Sequence, residues 1–321
     1  MTLLRSRLPE ALQRTRLPII ASPMFIISTP ALVIAQCKAG VIGAIPALNA
    51  RPALLLDEWL AEISEALAAH DRAHPEQPAA PFAVNQIVHK SNDRLAHDME
   101  LIVKHRVPIV ITSLGAREDI NAAAHGYGGV VLHDVINNTF AHKAVDKGAD
   151  GLIAVAAGAG GHAGVKSPFA LIQEIRRWFD GPLALSGSIA TGGAVLAAQA
   201  MGADFAYMGS AFIATHEARA SEAYKQAVVD GSSDDIVYSN LFTGVHGNYL
   251  AQSIRAAGLD PAHLPESDPS KMNFGGGAAK AWKDIWGCGQ GIGAISHVQP
   301  AAQLIAQLGK EYEQAKAQLL A

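Results

Sequence analysis

Eight short apolar runs with helical patterns between them predict an α/β fold, specifically a (β/α)8 TIM barrel with a small C-terminal helical insertion or lid. Three observations carry this. The runs are near-continuous in Val, Ile, Leu and Ala, as strands buried on both faces of a parallel sheet must be. They recur mostly every 21–25 residues. Each interval holds a segment of helical periodicity. A doubly wound open sheet is the competitor, but it usually has fewer strand–helix units.

In chain order the runs are Leu17–Ser22, Val41–Ile45, Phe82–Ile87, Val107–Ser113, Gly129–Val135, Gly151–Gly158, Leu183–Ile189 and Ala206–Ile213. The helical patterns between them are Pro30–Ala39, Leu54–Ala69, Asn92–His105, Ala116–His125, Thr139–Lys147, Pro168–Phe179 and Gly192–Met201. From about Gly231 to His297 the pattern breaks and Gly, Ser, Asp and Asn become frequent, with Gly275-Gly276-Gly277 in the middle. We expect a barrel over residues 1–230, a helical insertion over 231–297 covering its mouth, and an amphipathic helix within 298–321 that closes the chain.

Half of the 321 residues are hydrophobic and 17% are charged, ample for one large core. Mean hydropathy is +0.16, as a sheet covered on both faces requires. Net charge is −4 with no basic tract, which disfavours nucleic acid or an anionic membrane as partner. No run reaches the roughly 18 apolar residues that span a bilayer, and the first residues lack the apolar region of a signal peptide. Cys37 and Cys288 are isolated and suit a reducing compartment. We expect a soluble, cytoplasmic protein that takes a small-molecule substrate and is compatible with a homodimer. No metal motif is present.

In such a barrel the chemistry sits at the C-terminal ends of the strands. The sixth run leads into Gly160-Gly161-His162-Ala163-Gly164. His162 titrates near neutral pH and suits proton transfer, while Gly160 and Gly161 let backbone approach a flat ligand. A strand-end turn with a surface histidine fits the local pattern equally well. Ser186-Gly187-Ser188 and Met208-Gly209-Ser210, ending the seventh and eighth runs, read as a phosphate clamp built on Gly187, Ser188, Gly209 and Ser210. Ordinary αβ punctuation is the alternative. Ser22-Pro23-Met24 places a thioether at a strand tip, where it can pack on an aromatic ring. The amides of Asn85 and Gln86 suit a heterocycle or local backbone. Asp134 can accept from a ligand or join a structural ion pair.

Ala21-Ser22-Pro23-Met24, Gly160–Gly164, Ser186–Ile189, Met208-Gly209-Ser210 and Trp286-Gly287-Cys288-Gly289-Gln290-Gly291 together resemble the nitronate monooxygenase family, formerly called 2-nitropropane dioxygenase. The resemblance runs from about residue 15 to 295 and implies an FMN-dependent (β/α)8 oxidoreductase. It also implies His162 as the catalytic base, Ser22, Pro23 and Met24 against the flavin, and Asn85 bonded to it. Gly160 and Gly161 would lie close to the ring, and Gly187-Ser188 with Gly209-Ser210 would hold the FMN phosphate. The substrates would be alkyl nitronates or nitroalkanes with O2. The chain departs from the family twice: it has no acid at Gly158, and Asp134 follows His133 where a lysine is common.

Two further functions stay open. One is an NAD(P)H-dependent flavin reductase acting on a quinone or an enoyl thioester. The other is a flavin-free phosphosugar isomerase or lyase using His162.

Overall fold

The computed structural model describes residues 8–267 and 284–321, so Gly275-Gly276-Gly277 lies outside the described residues. All eight runs form parallel strands: β1 (Ile19–Ala21), β2 (Gly43–Pro46), β3 (Phe82–Ile87), β4 (Ile109–Ser113), β5 (Val130–Val135), β6 (Gly151–Val155), β8 (Leu183–Ser186) and β9 (Phe205–Met208). A two-residue strand, β7 (Gly161–His162), stands outside this sheet. The sheet order is β1-β9-β8-β6-β5-β4-β3-β2. Ile42, just before β2, closes the ring onto β1. Its N–H donates to Ile19 O at 3.1 Å and its carbonyl accepts from Ala21 N at 2.7 Å. The (β/α)8 barrel expected from the run spacing is thereby present.

Alternation along each strand sorts the side chains. Ile20, Ile42, Ala44, Ala83, Ile109, Ile111, Leu132, Ile153, Ala184 and Phe205 form one interior cluster. Leu8 and Leu12 belong to the same cluster and plug the amino-terminal end. Outward residues such as Val84, Val110 and Val131 pack instead with Leu56, Leu60 and Ile63 of the outer helices.

Those helices start where their sequences allow. Pro30 and Pro168 occupy first helical positions, while the side chains of Asn137 and Thr191 accept from Phe140 N and Ala194 N. The eighth position of the outer ring is filled by the final helix, Ala301–Leu320, which packs on Gly192–Ala200 and Pro30–Lys38. The segment expected to be helical beyond residue 231 contains instead a hairpin, β10 (Ile236–Ser239) with β11 (Gly247–Leu250), besides short helical turns. Its sequences IVYS and GNYL carry β-branched and aromatic residues, which favour strands.

Gly192 and Gly193 give a matched test of the final helix. A Cβ on Gly192 would run into the backbone of Leu308 and Tyr312, whereas one on Gly193 would meet Ala315 Cβ at an ordinary 3.8 Å. Gly192→Ala should destabilise the protein by about 1–3 kcal/mol. Gly193→Ala should be neutral or stabilise by up to about 1 kcal/mol, because alanine favours helix. Urea denaturation of both variants checks the contrast.

Candidate active site

An inward residue from the carboxyl-terminal part of every barrel strand, or just beyond it, meets the others at one place. Ser22, Pro46, Asn85, Ser113, Asp134, Val155, Ser186 and Tyr207 all line a cavity of about 820 Å³ at the carboxyl ends of the strands. Asn85 Nδ2 donates to Ser113 Oγ at 2.8 Å and to Ile111 O at 3.1 Å. Ser113 Oγ in turn donates to Asp134 Oδ2 at 2.5 Å. A directed chain of hydrogen bonds thus crosses β3, β4 and β5 and ends on a carboxylate. Burial pushes the Asp134 carboxyl up to about 6, against the opposing bonds from Ser113 and Leu114 N–H. Across the floor the Tyr207 hydroxyl is raised by burial and by the charge of Asp134, while its bond to Ser22 works the other way.

Flat and apolar groups form the walls. Met24 sits in a loop fixed by Asn49, whose Nδ2 donates to Met24 O at 3.0 Å and to Ser28 O at 2.8 Å. Asn49 Oδ1 accepts from the N–H of Ile26, which has a left-handed φ of 67°. Opposite, the rings of Tyr224 and Trp286 stack 4.8 Å apart at 9°, and Tyr224 Oη donates to Gly287 O. Ile136 and Phe140 form an exposed apolar rim, while His89 and Arg219 bring polar groups to the lining.

His162 reaches this cavity on β7, which pairs with β11 so that His162 faces Gly247. Its Nε2 lies 3.0 Å from Thr243 Oγ1. Thr243 Oγ1 is itself held by Val245, donating to its carbonyl at 3.0 Å and accepting from its N–H at 3.3 Å. Burial pulls the imidazole down to about 4, so it is neutral at pH 7.

The structure therefore brings together Ser22, Pro23, Met24, Asn85, Asp134, Gly160, Gly161, His162, Gly209 and Ser210 around one cavity. Four expected residues stand elsewhere. Gln86 and Met208 are neighbours of inward Asn85 and Tyr207, so alternation turns them outward. Gln86 is fully buried, with neither amide atom bonded among the described residues, and Met208 packs with Phe212, Val228 and Leu304. Gly187 and Ser188 are absent from the lining. The Ser188 N–H is directed at Gly158 O (3.4 Å), and its side chain borders a separate shallow depression of about 340 Å³.

Gly160 also has a role beyond the ligand. A Cβ there would come within 2.8 Å of Gly289 N, and one on Gly289 within 2.6 Å of Gly158 O. Ser113 and Tyr207 were within reach of strict period-two counting. Thr243 carried no local signal, being 81 residues from the histidine it holds.

Fold and cavity define a (β/α)8 barrel with a pocket at the carboxyl ends of its strands, where enzymes of this architecture hold their active sites, and with a histidine in the pocket lining. The profile of the nitronate monooxygenase family matches residues 6–311. A nitronate monooxygenase from Paraburkholderia phytofirmans is 28% identical over 94% of this chain and 94% of its own length. The crystal structure of a nitroalkane oxidase from Streptomyces ansochromogenes superposes with a TM-score of 0.79, covering 96% of this chain and 99% of that one at 23% identity. The structure of FabK from Thermotoga maritima gives 0.76 at 23% identity, covering 97% of each chain. At those identities the two structures support the fold alone. The chain belongs to the nitronate monooxygenase family and is an oxidoreductase of that flavin-dependent group. Among the described residues no helix is long and apolar enough to cross a membrane, and no group of three or more acidic, His or Cys side chains could hold a metal.

His133 offers a check on the electrostatics. It faces away from the cavity, 2.5 Å from Thr112 Oγ1, and burial pulls it down to about 4. An imidazole depressed in the folded state stabilises the fold above its unfolded value of about 6.5, and that contribution is lost as pH falls through 4. Stability should therefore drop between pH 7 and pH 4, with His133 accounting for roughly 3 kcal/mol of the fall. Denaturation curves of His133→Gln should be flatter over that range by a similar amount.

Proposed function

We propose that this protein is a cytoplasmic FMN-dependent nitronate monooxygenase, oxidising alkyl nitronates with O2 and accepting neutral nitroalkanes after proton removal. The observation that carries the reading is His162, neutral, lining the cavity of a barrel of this family and oriented by Thr243. The residues present suit a flavin. Met24 and the Tyr224–Trp286 stack offer flat walls, Asn85 an amide on the floor, and Ser186 with Gly209 and Ser210 small polar groups for a phosphate. When bound, FMN supplies the acceptance of electrons from the substrate and their transfer to oxygen.

The chain's own residues do the rest. His162 takes the proton from the carbon next to the nitro group, which a cavity base of low proton affinity does only when held close. Thr243 holds the imidazole in place through Nε2. A nitronate that arrives already ionised needs orientation rather than proton removal, so His162 matters less for it. The apolar walls exclude water around the reacting atoms.

His162→Ala should retain flavin and lose roughly 10²–10⁴-fold in kcat/KM for a neutral nitroalkane, with a much smaller loss for the matching nitronate. Equal losses for both substrates would overturn the base assignment. Thr243→Val should lose roughly tenfold on the nitroalkane, the weight of one hydrogen bond. Nitroalkane turnover should hold level on acidification and fall as pH approaches 4, where His162 becomes protonated. Anaerobic mixing of the flavin-loaded protein with NADH or NADPH should leave the flavin absorbance unbleached. Rapid bleaching would instead identify a pyridine-nucleotide-dependent reductase.

A further inference from the structure

We propose that Asp134 is a proton-accepting group of the cavity floor, ionised while a bound flavin is oxidised and protonated when that flavin is reduced. The inference rests on the flavin reading above and concerns a residue to which that reading gives no proton role.

Asp134 is built into the floor rather than exposed at the mouth. It belongs to the last inward layer of the barrel, lines the cavity, and is held by Ser113 Oγ at 2.5 Å and by the N–H of Leu114. Both donors fix the carboxyl in place and favour its anion. Asn85 holds Ser113 in turn, so the group cannot swing away without breaking the floor.

Among the described residues Asp134 forms no ion pair, and the groups facing it are polar but uncharged: Ser113 from β4 and Tyr207 from β9, the latter beside Ser22 after β1. The titratable or charged groups elsewhere in the lining are His162 on β7, His89 after β3 and Arg219 beyond β9. His162 is neutral near pH 7. His133, next in the chain, faces the helices instead. The carboxyl, poised at about 6 by burial, is therefore sensitive to any new negative charge in the cavity. A like charge nearby raises a carboxyl by one or more units, enough to carry it through neutrality.

Reduction by a chemical donor such as dithionite delivers two electrons to the flavin, which takes one proton from water and gains one negative charge. A second proton, from water, goes to the Asp134 carboxylate. Two protons are then taken up per two electrons in place of one.

The test is spectroelectrochemical titration of the flavin-loaded protein from about pH 6 to about pH 8, for the parent and for Asp134→Asn. The parent midpoint potential should fall more steeply with pH than that of the variant, by up to about 30 mV per pH unit, the value for one extra proton per two electrons. Reduced-minus-oxidised infrared spectra of the parent alone should show the carbonyl stretch of a protonated carboxylic acid on reduction, which needs no variant to fold. Equal slopes with no such band would overturn the role of Asp134 while leaving the flavin reading intact. Failure of the protein to bind FMN would overturn both.

Discussion

Backbone packed against backbone is the constraint on which the site depends. The loop after β6 and the segment around residues 287–291 approach so closely that neither tolerates a side chain at the contact. Gly158 O accepts from Gln290 N at 2.9 Å, and Gly160 and Gly289 each stand where a Cβ would collide with the other's strand of chain. The contact is then locked from the flanks. Asn248 Nδ2 donates to Ala159 O at 2.6 Å, its own carbonyl accepts from Cys288 N at 3.1 Å, and Gly289 N donates to Ser210 Oγ at 2.9 Å. One glycine-lined junction thereby ties together the strand that carries His162, the wall that carries Trp286 and the loop that carries Ser210.

The barrel contributes something different. Closing eight strands forces every second residue inward, so each strand can place only one side chain at the top of the interior. Here that layer is unusually rich in hydroxyl, amide and carboxyl groups, whereas the layers beneath are Ile, Leu, Val, Ala and Phe. A dry column below a polar floor makes the floor electrostatically strong. Asp134 and Tyr207 both shift because water is excluded from beneath them. The titratable groups of the cavity are thereby divided between two supports: carboxyl and phenol on the rigid ring, imidazole on β7, which pairs with the hairpin beside it.

Much of this was legible in the sequence, and for physical reasons. Strands buried on both faces must be continuous in apolar residues, so all eight runs stood out, and proline marked helix starts at Pro30 and Pro168. The site was legible wherever a strand tip carried a distinctive group, as at Met24, Asn85 and His162. It was not legible where only the phase of the alternation decides. Gln86 and Met208 are as polar or polarisable as their neighbours, yet one step along the strand turns them into the wall. Nor did the glycine stretch reveal its partner, because a missing side chain looks the same whether a ligand or another stretch of backbone fills the space.

The histidine's orientation comes from the last third of the chain, from Thr243 beside a hairpin that is not part of the barrel. Scaffold and chemistry are thus written in separate stretches of the sequence. The floor residues from Ser22 to Tyr207 all precede Thr243 in the chain, so His162 receives this partner from a stretch that the barrel itself does not use. The same separation means that substitutions in the hairpin can alter how His162 is held while the eight-stranded ring, complete by Met208, is left untouched.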